Sequence, residues 1–471
     1  MNRVIVIGGG IAGLAAAHRV SELKRDQALD LEIILLEASN RLGGSIATER
    51  VGEFLVEAGP DSFITEKPWA LRLCERIGLT SRLVSTQSAY QKIYIVHDGK
   101  LVELPEGFFL LAPTRLWPFI QTPLFSWPGK LRMASELFLP RGEMKGDESL
   151  GSFVRRRFGS EALERVAQPL VGGIYASDPD KLSLTATMPR FKEMERTRRS
   201  VIYAMWSAQR ERAKNREAGS GARWSLFVTL AGGMQELVDT IAQRLPEGTV
   251  RLNSPATGLN RNADNTWRVT VSGKEIIEAD AVILAAPAFR SGQLLESIAA
   301  NAAANLKDIT YASTATVSLA YRHEDFPRVP DSFGFVVPAI ERRKIMACTF
   351  SSLKYPGRAP EGHILLRAFV GGSLQPELFS DDDRTMEKNV RDELAALLAV
   401  TALPQFARVW RHPNSMPQYH VGHDARVKRI ELELQKFATL SLAGSAYHGV
   451  GIADCVRTGE EAAETIIKGI S

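Results

Sequence analysis

Cysteine is scarce in this chain of 471 residues: Cys74, Cys348 and Cys455 are odd in number, far apart, and form no C-x-x-C pair. That excludes a disulfide framework and points to reduced thiols in a cytosolic protein. The eight histidines show no zinc-ligand spacing, so no metal site is expected, and His420 and His423 read as loop residues. No uninterrupted apolar run of about 18 residues occurs, which argues against a transmembrane helix. The fold is expected to begin at Asn2 or Arg3, leaving no room for a signal peptide. A strong charge of either sign is also missing. The net charge of +4, with a pI near 8.9, suits an anionic small molecule or an acidic membrane surface, and no nucleic-acid-binding signature is present. Internal repeats and low-complexity linkers are absent too, and the length implies two or three domains.

What the sequence does have is a β-branched run, Val4 to Ile7, that breaks directly into Gly8, Gly9 and Gly10, then Ile11, Ala12 and Gly13. In this G-x-G-x-x-G spacing Gly8 permits a tight turn, Gly10 lets the backbone approach a pyrophosphate, and Gly13 lets the helix pack closely on the strand. A plain glycine turn is the alternative. A helical run from Ile11 to Val20 and a second apolar strand, Leu31 to Leu36, favour the nucleotide reading. That strand ends on Glu37, placed to bind ribose hydroxyls and to repel the 2′-phosphate of NADP.

Further along, Ala58-Gly59-Pro60-Asp61 forms a sharp turn that returns the chain toward the cofactor. Trp69 to Leu79 reads as an amphipathic helix with Ala70, Leu73, Cys74 and Ile77 on one face, and Lys92 to Leu104 as a hairpin about His97-Asp98-Gly99-Lys100. Phe108 to Leu139 interleaves Phe108, Phe109, Trp117, Phe119, Phe125, Trp127 and Phe138 with Arg115, Lys130 and Arg132. It suits a helical lobe over a channel or a surface lying on a bilayer. Arg155, Arg156, Arg157 and the cluster from Arg196 to Arg199 are expected on solvated faces. A strand, a glycine turn and a helix are expected across Phe227 to Asp239, and short strands at Thr249 to Leu252, Trp267 to Val271 and Asp280 to Pro287. Longer ones follow at Ala315 to Tyr321 and Leu365 to Val370, with a helix from Thr385 to Leu398. A strand, a loop bearing Gly444, Gly449 and Gly451, and a helix to Ile467 close the chain.

Glu37-Ala38 followed by Arg41, Gly43 and Gly44 resembles the extended FAD fingerprint of the amine oxidase flavoprotein superfamily. The whole chain resembles the bacterial porphyrinogen oxidases of haem synthesis. That likeness rests on Gly59 to Phe63, Gly172-Gly-Ile-Tyr-Ala176 with Asp180 to Leu184, Ser415-Met-Pro-Gln-Tyr-His-Val-Gly-His423, and Gly449-Val450-Gly451-Ile452. It implies an α/β protein. A Rossmann-like FAD-binding domain would be assembled from three segments, residues 1–67, 227–288 and 409–471. A mixed-sheet substrate domain takes 68–107, 209–226 and 289–408, and an inserted helical lobe takes 108–208.

The resemblance also implies that Val250 offers its backbone to adenine, although it is otherwise an ordinary strand valine. The terminal helix would aim its amides at the flavin ring. Hydride would pass from a methylene bridge of coproporphyrinogen III or protoporphyrinogen IX to flavin N5, with O2 reoxidising the flavin to give H2O2. No side chain is expected to act as nucleophile or general base. Lys67 would pair with a propionate, Ile174 would clamp the macrocycle, and Phe369 would close its apolar wall. Peripheral contact with the inner face of the cell membrane and a homodimer stay open. One departure stands out: His412 occupies a position where the family commonly has Trp, while Trp410 lies two residues earlier. The alternatives are another flavin amine oxidase, a carotenoid desaturase, or a non-enzymatic escort protein without flavin.

Overall fold

The computed structural model describes residues 2–109, 112–113, 115–142, 146–217 and 224–470. The β-branched N-terminal run forms the strand Asn2–Ile7 at the centre of a five-stranded sheet. In spatial order the strands are Val250–Arg251, Leu31–Leu36, Asn2–Ile7, Ala281–Leu284 and Leu440–Leu442, and every pairing is parallel. Parallel strands are covered on both faces and so need continuous apolar runs. Val4 and Val6 pack into one core and Ile5 and Ile7 into the other, as the two-residue period requires. The first core holds the first helix, Ile11–Asp26, against the terminal helix, Ile452–Ile470. These two helices meet backbone to backbone, since a Cβ on Gly459 would lie 2.2 Å from the Ala12 carbonyl oxygen. The expected assembly from three distant stretches is present in the sheet order itself.

A second, seven-stranded mixed sheet runs Phe406–Pro417, Tyr311–Arg322, His363–Gly371, Ala347–Phe350, Gly334–Val336, Tyr94–His97 and Lys100–Glu103. The expected hairpin about His97 forms its edge, and Asp383–Leu398 is the expected helix. Two segment limits move. Phe406–Pro417 pairs along Tyr311–Arg322, so residues 409–417 lie in the mixed sheet and not in the nucleotide fold. The helix Val201–Glu217 runs through the limit set at 208, carrying 209–217 with the helical lobe. Residues 110–111, 114, 143–145 and 218–223, which fall within the expected lobe and substrate segments, lie outside the described residues.

The helical lobe has its own core, built on Phe119, Phe125, Phe153, Phe158 and Phe191. Here the expectation of three solvated arginines fails at Arg157, which is fully buried. Its Nε lies 2.9 Å from Glu136 Oε1, and its remaining donors reach Glu195 Oε1 at 3.4 Å and the carbonyls of Pro140 and Arg199, each at 2.8 Å. Glu136 in turn accepts from Ser200 Oγ at 2.6 Å and from the amides of Val201 and Ile202, capping the helix that begins there. Arg156 bridges Glu195 and Glu148. A buried guanidinium is tolerated only when its charge and its donors are both met, and both are met here.

Candidate active site

The glycine loop does what its spacing asks. Gly8 has φ +113°, and a Cβ on Gly13 would fall 1.9 Å from the Gly8 carbonyl oxygen, so helix and turn touch directly. Gly10 caps the first helix with no side-chain partner, no acid lies in the first turn, and a Cβ there would meet nothing within 4 Å. The amide end of this helix therefore opens onto free space, which suits a diphosphate. Glu37 stands beside it: its Oε2 accepts the Gly9 amide at 2.6 Å and its Oε1 the Ser39 amide at 2.8 Å. Ala38 follows it exposed, and the Glu37 amide donates to the Arg251 carbonyl at 2.9 Å, which brings Val250 to the same edge. Arg41 donates to the carbonyls of Leu42 at 3.1 Å and Ile46 at 2.8 Å, and to that of Gly44. It staples the turn of Gly43 and Gly44, both at positive φ, and Gly43 bridges to Gly10.

The Ala58 to Asp61 turn packs onto that loop, for a Cβ on Gly59 would lie 1.9 Å from the Ser45 carbonyl oxygen. Ala58 O accepts from Thr316 Oγ1 at 2.8 Å and from His412 Nε2 at 2.9 Å. A carbonyl only accepts, so the His412 proton sits on Nε2. His412 thereby ties down the backbone of this turn. Arg367 donates to Gly59 O at 2.6 Å and pairs with the buried Asp61 at 3.0 Å, while Lys354 reaches the same carboxylate at 3.1 Å. Burial pushes the Asp61 carboxyl up, but the Lys354 and Arg367 cations outweigh it and hold it well below the usual range. Pro60 is half-buried between these anchors.

The C-terminal loop completes the cradle. The Gly444 amide donates to Thr458 Oγ1 at 3.1 Å, and Gly449, at φ +132°, passes so close to Asp454 that a Cβ would strike its carboxylate at 2.3 Å. Val450 is half-buried, Gly451 is exposed, and Ile452 starts the terminal helix. Lys67 donates to both oxygens of Asp454, at 2.8 and 2.6 Å, so its ammonium is committed to the first turn of that helix. Of the residues expected to meet substrate, Ile174 is exposed on the helix Gln168–Tyr175. Phe369 is half-buried, with the Arg367 guanidinium 4.9 Å from its ring centroid. The segments at 8–13, 37–46, 58–67 and 444–454 thus converge on one place.

The family profile described as flavin-containing amine oxidoreductase matches residues 11–467. The chain belongs to that family. Its cofactor is FAD. Within the family it is 35% identical over 98% of its length, and 96% of the relative's, to coproporphyrinogen III oxidase of Bacillus subtilis. It is 30% identical, over 98% of each chain, to protoporphyrinogen oxidase of Homo sapiens. A crystal structure from Exiguobacterium sp. 255-15, provisionally named a protoporphyrinogen oxidase, superposes with a TM-score of 0.86 at 32% identity over 99% of both chains. The open amide end of the first helix is compatible with the diphosphate of FAD, and the Glu37 carboxylate stands beside it.

Several anchors carry no signal at sequence level. Thr316, Lys354 and Asp454 act across the tertiary fold. Arg367, a lone charge in the apolar strand His363–Gly371, was detectable as an anomaly. His423 is a correction: it is buried at the start of the helix His423–Leu434 and not in a loop. Burial pushes its pKa down to about 4 from 6.5. The folded state therefore binds fewer protons than the unfolded one. This contribution is intact above pH 6.5 and falls away toward pH 4, by on the order of 3 kcal/mol. The thermal midpoint is expected to fall between pH 7 and pH 4.5, and His423→Gln to flatten that slope; an equally steep slope in the variant would assign the effect elsewhere.

Proposed function

We infer that this chain oxidises a porphyrinogen in haem biosynthesis, with coproporphyrinogen III preferred and protoporphyrinogen IX accepted. The near full-length identity to coproporphyrinogen III oxidases carries this reading. Bound FAD supplies the acceptor for hydride leaving a methylene bridge. The chain's own residues bind, orient and exclude water. The turn from Ala58 to Asp61 and the terminal-helix loop would hold the ring system, and Ile174 and Phe369 would supply apolar surface for the macrocycle.

Lys67 gives two of its three donors to Asp454, and its half-exposed ammonium keeps the third for a propionate. Asp61 is outnumbered by Lys354 and Arg367, which leaves a local excess of positive charge. Four carboxylates on the preferred substrate, against two on the other, suit that excess. O2 is the proposed electron acceptor.

The test is a side-by-side rate comparison on the two porphyrinogens, read by porphyrin fluorescence with peroxide measured in parallel. A higher kcat/KM on coproporphyrinogen III is expected, with peroxide formed in step. Absence of fluorescence from either substrate in a protein that holds FAD would overturn the reading, and turnover of an amine would replace it.

Peripheral membrane contact has the support of an exposed apolar surface on the helical lobe. Leu116, Trp117, Trp127, Leu131 and Phe138 are each more than half exposed on the helical lobe. The basic residues expected beside them are engaged elsewhere: Lys130 Nζ donates to the Ile120 carbonyl at 2.6 Å, Arg132 to the carbonyls of Arg156 and Arg157, and Arg115 pairs with Glu106. Among the described residues no helix is long and apolar enough to cross a membrane. Any association is therefore apolar, so co-flotation with vesicles should survive high salt and be lost in Trp117→Ser/Trp127→Ser; flotation abolished by salt would contradict this.

A further inference from the structure

Two adjacent buried residues, Gln418 and Tyr419, face in different directions and hold different parts of the site. Gln418 is 3% exposed and Tyr419 1%. The Gln418 amide nitrogen donates to the Tyr175 carbonyl at 3.2 Å, and its oxygen accepts from Ser373 Oγ at 3.0 Å. Tyr175 ends the helix that carries Ile174. The Tyr419 hydroxyl donates to the Ser445 carbonyl at 2.6 Å and accepts the Gly449 amide at 2.8 Å. These two backbone groups bracket the loop that leads into the terminal helix.

The ring of Tyr419 stacks on His423, with centroids 3.9 Å apart and planes 11° from parallel. His423 Nε2 lies 3.2 Å from the Tyr447 carbonyl, a third backbone group of the same loop; the carbonyl can only accept, so Nε2 is the donor. The backbone of the pair is fixed as well, since Ser183 N donates to Tyr419 O at 2.7 Å and Gln418 N to Thr310 O at 2.9 Å. A loop passing through Gly449 at φ +132° cannot rely on helical or sheet hydrogen bonds to set its path. The tyrosine hydroxyl and the histidine imidazole do so instead.

We propose that Gln418 and Tyr419 are positioning residues that hold the Gly172–Ala176 stretch and the Gly449–Ile452 loop in one register. Neither touches the reacting atoms. Tyr419 sets the approach of the terminal helix to FAD, and Gln418 sets the substrate stretch relative to it. The Gln418 half rests on the porphyrinogen reading, whereas the Tyr419 half rests on FAD alone.

The experiment separates the two. Tyr419→Phe keeps the stack on His423 and removes only the hydroxyl. Measured on protein without porphyrinogen, it is expected to weaken FAD binding threefold to tenfold, the range of one or two neutral hydrogen bonds, and to shift the flavin absorbance band and reduction potential. Gln418→Met keeps the length of the side chain and removes its polar ends. It is expected to leave FAD affinity and spectrum unchanged while raising porphyrinogen KM threefold or more at nearly constant kcat. Unaltered FAD affinity, spectrum and potential in Tyr419→Phe would overturn the Tyr419 half. A Gln418→Met enzyme with wild-type KM, or one whose FAD affinity falls as its KM rises, would overturn the other half. Loss of turnover with both porphyrinogens in the unmodified holoprotein would instead sink the substrate reading and leave the FAD measurements standing.

Discussion

Gly13→Ala is expected to give a protein that is purified colourless and without oxidase activity. A methyl group at this position would lie 1.9 Å from the Gly8 carbonyl oxygen and 3.2 Å from Ala285 Cβ. Neither neighbour has room to yield, because Gly8 is itself pressed against Ala285, whose carbonyl oxygen a Cβ on Gly8 would approach to 2.6 Å. The helix must therefore lift from the central strand, and its amide end moves with it. Overpacking of this kind costs about 1–3 kcal/mol where side chains can adjust, and more where backbone opposes backbone. The measurement is FAD content per chain by absorbance after gel filtration, with the thermal midpoint alongside. Gly10→Ala is the companion, since its Cβ meets no protein atom. It should fold as the parent does and lose FAD affinity through the ligand's own space. A yellow, fully loaded Gly13→Ala protein would show that the loop does not approach as closely as described.

The second large effect concerns stability. Glu136→Leu should lower the free energy of unfolding by about 3–5 kcal/mol, because it leaves the fully buried Arg157 without its closest counter-charge and uncaps the helix at Val201. Glu195, 3.4 Å from Arg157 and already paired with Arg156, makes up only part of the loss. Replacing both members, as Glu136→Leu/Arg157→Met, should recover much of it, since two apolar groups of similar volume carry no desolvation penalty. Urea unfolding of the parent and the two variants gives the comparison. A double variant as unstable as the single one would mean that the helix cap, and not the ion pair, dominates.

What could be read in the sequence was local. Val4 to Gly13 specifies strand, turn and helix within ten positions, and each glycine has a steric reason visible in its spacing alone. The apolar runs at Leu31 and Ala281 announce buried parallel strands in the same way. Arg157 was misread because its neighbours, Arg155 and Arg156, made a solvated cluster the natural reading. Its partners Glu136 and Glu195 lie 21 and 38 positions away and share no periodicity with it. Lys67 was placed at the site, but its partner Asp454, 387 positions further on, was beyond reach. His412 was noticed as a departure, yet its use became clear only from the Ala58 carbonyl facing it. The limit at 409 fell inside the strand Phe406–Pro417, whose composition has no break at that position.

The order of the parallel sheet has a consequence for biogenesis. Leu440–Leu442 completes one edge, and the terminal helix covers the first helix at backbone distance. A nascent chain therefore presents an unfinished parallel edge and a bare apolar helix face until Leu440–Leu442 and Ile452–Ile470 have emerged from the ribosome. Such long-range pairing is slow and exposes the chain to aggregation. Loading with the dinucleotide must await these two elements, and protection of that open flank falls to whatever chaperones attend the chain meanwhile.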